Sequence, residues 1–172
     1  MNEIKIEKVA PTEVVHLQKI ATETFYETFG PSNDEENMRT YLAEGFSIGR
    51  LTEELNDGNA DFFFAKLNDK VIGYLKINSG ASQTELQHEN ALEIERIYVS
   101  KEFHGKKVGQ LLYNKAIEIA TKRKADFVWL GVWEENQRAI RFYKKNGFVE
   151  FDKHIFKLGG DEQTDIMMKL KL

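Results

Sequence analysis

The sequence predicts one α/β domain of the mixed α+β kind, spanning residues 1–172, with helices on both faces of a mostly antiparallel sheet. Three observations predict it. Alternating or continuous apolar runs lie at 4–9, 61–78, 91–99 and 125–133 and again after 148, as strands require. Helix-period segments fall between them, at 11–55, 104–120 and 136–146. No linker, repeat or low-complexity segment divides the chain.

"IKIEKV" (4–9) alternates and reads as a strand, and Pro11-Thr12 opens a helix. Leu17, Ile20, Ala21 and Phe25 give that helix its apolar face, and "GPSND" ends it at Gly30. Asn33 with Asp34, Glu35 and Glu36 resembles a cap with acids in the first turn, so one or two helices fill 34–55, broken near Gly45. "DFFFAKL" and "KVIGYLKIN" flank Asn68-Asp69 and predict a hairpin. A polar loop, "SGASQTELQHEN", leads to the strand "ALEIERIYV" (91–99). Val108, Leu111, Leu112, Ala116, Ile119 and Ala120 then share one helix face that packs on the sheet. "ADFVWLGVW" is a buried strand whose Gly131 marks a bulge, a close backbone approach, or a small residue under a bulky neighbour. "NQRAIRFYKKN" is a short helix stopped by Gly147, and "FVEFDKHIFKL" and "DIMMKLKL" close the chain around the turn "GGDEQT".

Hydrophobic residues at 41% and charged residues at 30% fit a soluble globular protein, and the net charge of −4 lacks the basic excess of a nucleic-acid binder. The absence of cysteine excludes disulfides, thiolate metal sites and a thiol nucleophile. His16, His88, His104 and His154 are scattered with no H-x-x-x-H pair, so no metal is expected. With no apolar leader and no run of about 18 apolar residues, a cytoplasmic location without membrane contact is expected.

The chemistry concentrates in "HGKKVGQLLYNKAIEIA". Its helix opens on two glycines and three basic groups. A helix N-terminus offers unpaired N–H groups and the positive end of the dipole. Gly105 and Gly109 would let a phosphate approach that backbone closely, with His104, Lys106 and Lys107 adding charge. The alternative is a glycine-containing turn with solvated lysines. The spacing fits neither a dinucleotide fingerprint nor a P-loop.

The stretch lies between two strands and is followed by "NQRAIRFYKKNGF". Together these resemble the GCN5-related N-acetyltransferase family. That family's phosphate turn, [QR]-x-x-G-x-[GA], aligns with His104 to Gly109, with His104 in place of Gln or Arg and Lys107 in place of Gly. Asn136, Ala139, Phe142, Tyr143, Lys145, Gly147 and Phe148 match the pattern N-x-x-A-x-x-F-Y-x-K-x-G-F in full. "TETFYETFGPSNDEENMRTYL", "LEIERIYV" and "EQTDIMMKLKL" look like the Pai-type spermidine/spermine acetyltransferases.

The resemblance implies about seven strands, the fourth and fifth splayed for acetyl-CoA. It implies that Ile97, Tyr98 and Val99 pair with the pantetheine arm. His104, Gly105, Lys106, Lys107, Val108, Gly109 and Gln110 would hold the diphosphate, Asn136 would bond the pantetheine, and Lys145 would belong to the same cofactor site. It makes Tyr143 the general acid, though Tyr143 also fits a core aromatic, and Asn136 a helix cap. Glu93 and Glu95 project from one strand face, where two carboxylates resist joint ionisation; one is the expected base. They equally fit amine binding, or pairing with Arg96 and nearby lysines. Phe25, Tyr26, Phe29 and Glu35 are the expected substrate contacts, with solvated helix charge as the alternative for the acid. The function so implied is acetyl transfer to a small cationic amine, a polyamine first. The alternatives are a protein N-terminus, an amino acid, an aminoglycoside, or non-catalytic acyl-CoA binding. Exposed-looking apolar residues in the last strands admit a homodimer.

Overall fold

A computed structural model describes residues 3–85 and 88–172. Its strands are β1 (Ile4–Lys8), β2 (Ala60–Leu67), β3 (Lys70–Ser79), β4 (Ala91–Val99), β5 (Phe127–Trp133), β6 (Val149–Leu158) and β7 (Asp161–Lys171). Its helices are α1 (Val14–Phe29), α2 (Glu35–Gly45), α3 (Ile48–Leu55), α4 (Val108–Lys122) and α5 (Gln137–Lys145). The seven strands form one sheet in the order β1-β2-β3-β4-β5-β7-β6. All neighbours are antiparallel except β4 and β5. Seven strands with helices on both faces is the predicted fold class.

Local chemistry sets the boundaries. Pro11 begins a 3₁₀ turn rather than α1 itself, because proline fits the first turn where its missing N–H costs nothing. Asp34 caps α2 by accepting from the Glu36 amide, and Ser47 caps α3 by accepting from the Arg50 amide. The Ser47 cap is why the 34–55 segment is two helices. Asn68 and Asp69 both adopt positive φ, 51° and 67°, which gives the β2–β3 hairpin its tight two-residue turn. The last hairpin corrects one expectation. Its turn is Gly159-Gly160 alone, and "DEQT" is already strand. Those polar residues hold because their side chains reach partners: Asn37 donates to Asp161, and Gln163 joins Asn33 to the Trp133 indole.

Each sheet face carries its own core. On one side Ile72, Leu75, Ile77, Leu92, Ile94, Val128 and Leu130 pack under Val108, Leu112 and Ala116 of α4 and Ile140 and Tyr143 of α5. On the other, Phe62, Phe64, Tyr74 and Trp133 meet Leu17, Ile20, Phe25 and Phe29 of α1, Met38 of α2 and Leu51 of α3. Of the α4 face read from the sequence, Leu111 turns out 37% exposed and Tyr113 takes a buried place instead. Among the described residues no helix is long and apolar enough to cross a membrane.

Gly73 lies under α4 where β3 pairs with the end of β4. A Cβ there would stand 2.8 Å from the Tyr98 carbonyl oxygen and 3.4 Å from Leu112 Cδ1. Gly73→Ala should therefore wedge β3 from β4 and cost about 1–3 kcal/mol. Urea unfolding monitored by tryptophan fluorescence would show it as a lowered midpoint at unchanged slope.

Candidate active site

The sheet opens at its centre. β4 and β5 are in register only at Ala91–Phe127, Leu92–Val128 and Glu93–Trp129, after which they diverge. The divergence coincides with a β-bulge. Ile77 pairs with Ile94 and Lys76 with Arg96, so Glu95 is the extra residue on β4. Strict alternation would send Glu95 and Arg96 to opposite faces. The bulge puts both on the α1–α3 side, with Ile94 and Ile97 both in the α4 core.

There the charges close into a ring. Lys76 Nζ lies 2.6 Å from Glu95 and 2.7 Å from Glu54, while Arg96 lies 3.0 Å from Glu95 and 3.1 Å from Glu54. Burial opposes ionisation of Glu95, but Arg96 and Lys76 outweigh it and hold the carboxyl down at about 2. Glu93 differs. It accepts from the Thr84 amide (2.8 Å), the Thr84 hydroxyl (2.5 Å) and Asn78 Nδ2 (3.0 Å), and burial pushes its pKa up in spite of them. Asn78 Nδ2 also donates to Glu95 at 2.8 Å, so the two glutamates do share a face. One of the pair is raised as the sequence predicts, but the first cause is desolvation rather than their mutual repulsion.

Beneath the divergence lies a cavity of about 350 Å³. Phe25, Phe29, Tyr41, Phe46, Trp133 and Phe156 line its aromatic wall; Glu85, Glu93, Glu95, Arg96, His154 and Asp165 bring charge; Ile97, Tyr98, Asn136 and Tyr143 face it from the β4 and α5 side. Tyr143 is 5% exposed, and burial pushes its phenol up, so it keeps its proton at neutral pH. Asn136 caps α5 by accepting from the Ala139 amide at 3.2 Å while lining the same cavity.

The turn from β4 to α4 has its own geometry. Gly105 and Lys107 adopt left-handed φ of 79° and 66°. No side chain caps α4, and among the described residues the backbone N–H groups of 105–110 find no acceptor; the first bonded amide is Leu111, to the Lys107 carbonyl. These unpaired donors at a helix start form an anion cradle. A Cβ at Gly105 would meet open space, so the cradle is accessible. Val108 is buried, and Gly109 lies against Val99, where a Cβ would stand 4.0 Å from Cγ2.

Several expectations need correcting. His104 adds no charge to the cradle: its ring sits 2.8 Å from the Val99 carbonyl, burial lowers its pKa, and it fastens the turn to the end of β4. The Gln110 side chain is bonded to Asn114 and Asn146, which leaves only its amide for an anion. Lys106 is exposed and stands over the Phe103 ring, and Lys145 is exposed at the end of α5. Phe25 and Phe29 reach the cavity, but Tyr26, a third of a turn further round α1, is 47% exposed, and Glu35 is exposed at the α2 start; neither lines it. Gly131 interrupts no register: it is the small residue beneath the Asp165 carboxylate, whose Oδ2 would be 3.2 Å from an added Cβ. Sequence reasoning missed Asp165, Glu54 and Lys76. Only Lys76 left a signal, as a lone charge within the apolar run "VIGYLKI".

Residues 15–148 match the Acetyltransferase (GNAT) family. The chain belongs to that family. It is 37% identical over 172 residues to an uncharacterised N-acetyltransferase of Lactobacillus delbrueckii subsp. lactis, covering 100% of this chain and 99% of the relative. It is 28% identical, over 98% of this chain and 97% of the relative, to a spermidine N(1)-acetyltransferase of Thermoplasma acidophilum. A crystal structure of the PaiA N-acetyltransferase from Thermoplasma acidophilum in complex with coenzyme A superposes with a TM-score of 0.82 at 25% identity, covering 99% of both chains. The protein is thus an N-acetyltransferase of GNAT type.

Two outcomes follow from the geometry. Lys107→Gly should relieve a left-handed side-chain conformation and raise stability by about 0.5–1 kcal/mol, read as a higher thermal midpoint. Lys76→Met should remove the buried cation that Glu54 and Glu95 share, leaving Arg96 with Arg50 on Glu54 and with Asn78 on Glu95, and destabilise by about 3 kcal/mol; chemical denaturation would measure it.

Proposed function

We propose that the protein transfers the acetyl group of acetyl-CoA to a primary amine of a small cationic acceptor, with polyamines the first candidates. The carrying observation is the juxtaposition of an uncapped run of amides at 105–110 with a strand edge, Ile94 to Val99, left unpaired on the β5 side. Such an edge takes an extended polar chain as an added strand, and the amides take a diphosphate. Coenzyme A carries both parts in that order. The likeness to a coenzyme A complex supports the donor, and the likeness to a spermidine acetyltransferase supports the acceptor.

When bound, acetyl-CoA supplies an activated thioester; the rest falls to the chain's residues. Ile97, Tyr98 and Val99 offer backbone partners to the pantetheine arm and orient it, with Asn136 facing it from α5. Lys106, Lys107 and Lys145 supply positive charge around the amides. Tyr143, protonated and facing the cavity, donates its phenolic proton where the thiolate departs. Glu93 is the better base of the two glutamates, because burial raises its proton affinity while Glu95 is held ionised by Lys76 and Arg96. It takes the amine proton through a water relay, and Glu95 holds the bulge. Phe25 and Phe29 give the acceptor's methylenes an apolar wall.

Tyr143→Phe tests the assignment. Turnover of acetyl-CoA with spermidine should fall about 100-fold or more, while coenzyme A affinity by calorimetry stays within about twofold. Undiminished turnover would remove Tyr143 as the acid.

A further inference from the structure

Four carboxylates line the cavity, and three are engaged. Glu85 lies 2.9 Å from His154 Nε2. Glu93 receives three hydrogen bonds from Thr84 and Asn78. Glu95 is held by Lys76, Arg96 and Asn78. Asp165, on β7, is the fourth, and among the described residues no donor or cation is bonded to it. Burial pushes its carboxyl up to about 6, with only the charge of nearby His154 acting the other way. It stands opposite Trp133 and His154 in the strand register and lies over the bare backbone of Gly131, at the open end of the slot. Beside it Phe29 packs on Trp133 with ring centroids 4.7 Å apart and on Phe156 at 6.2 Å.

We propose that Asp165 is the ammonium anchor of the acceptor site, and that it selects aliphatic amines bearing a positive charge and no acid group. This deepens the acceptor reading above and rests on it. A partly buried carboxylate without donors is completed by a cation, and the neighbouring rings suit methylenes and a cation over a π face. The cavity's cations explain the exclusion. Among the described lining residues the basic side chains are Arg96 and His154, and each already faces a carboxylate. An acceptor with its own carboxylate would find no unengaged positive partner there.

The experiment measures spermidine binding to coenzyme A-loaded protein by calorimetry, alongside acetyl transfer to spermidine and to lysine, a diamine with a carboxylate. For Asp165→Asn, spermidine affinity should fall at least 10-fold and KM rise in step, with kcat changing less and coenzyme A affinity staying within twofold. Asp165→Glu should recover part of the loss. The unaltered protein should prefer spermidine over lysine at least 10-fold in kcat/KM, a comparison that needs no variant to fold. Spermidine affinity in Asp165→Asn within twofold of the parent, no spermidine binding by the parent, or equal use of lysine would each overturn the anchor. If the parent binds spermidine through Asp165 yet transfers no acetyl group, the anchor stands and the proposed function falls.

Discussion

One extra residue in β4 organises the middle of this molecule. A strand in a continuous sheet has both edges committed to its neighbours, and β4 meets that condition only as far as Glu93. With Glu95 inserted as a bulge, β4 keeps its ladder with β3 and leaves β5, while β5 stays fully paired with β7. A gap in a sheet exposes backbone groups and invites non-specific pairing. Here α4 and α5 pack on one side and α1–α3 on the other, and the opened edge from Ile94 to Tyr98 lines a cavity. The ring of Glu54, Lys76, Glu95 and Arg96 keeps the bulge in place. Replacing such a ring with apolar side chains need not lose stability, so its value is positional: it ties α3, β3 and β4 into one geometry at the mouth of the gap.

The second constraint begins where β4 ends. His104 fastens the turn to Val99, and Gly105 and Lys107 bend the chain through left-handed conformations before α4 starts. A helix with a serine or aspartate cap would satisfy its own amides; α2 and α3 do so. α4 does not, and leaves donors unpaired at the end of the opened strand. Local stability is forgone at the start of α4, the kind of departure from local consistency that marks functional sites.

Much of this was legible in the residues, and what was not has physical causes. Element order follows from apolar periodicity, and the glycine-bearing, basic start of α4 was visible because it is local, though a phosphate role for it came from the family resemblance rather than from the glycine spacing. Lys107 stands where the resembled pattern has Gly, and the structure gives it a left-handed φ of 66°. The bulge was not legible: "LEIERIYV" alternates cleanly enough to read as a regular strand, and only pairing with β3 shows that Glu95 is surplus. Long-range side-chain bonds were hidden likewise. Nothing in "HGKK" says the imidazole turns back to Val99, and nothing in "TDIMM" says an aspartate comes to lie over Gly131, 34 positions earlier. That Tyr26 and Glu35 lie away from the cavity was likewise hidden, because a helix's composition does not tell which flank meets it.

The electrostatic balance of the cavity has a consequence for amine chemistry. A nucleophilic amine must be neutral to attack, and each unpaired carboxylate nearby holds it protonated. At about 4 Å and an effective dielectric near 20, one such charge contributes roughly 4 kcal/mol, about three pKa units. Four unpaired carboxylates would bind a cation tightly and leave it unreactive. The protein instead balances Glu95 with Lys76 and Arg96, sets Glu85 against His154, and surrounds Glu93 with neutral donors while burial favours its protonated form. An ammonium group placed in this cavity, as proposed, would be drawn by one unengaged carboxylate and not held by a cage of them. On the proposed acceptor reading, attraction at one end of the slot and near-neutrality at the other is the distribution that would let a charged acceptor bind and still lose a proton where it must react.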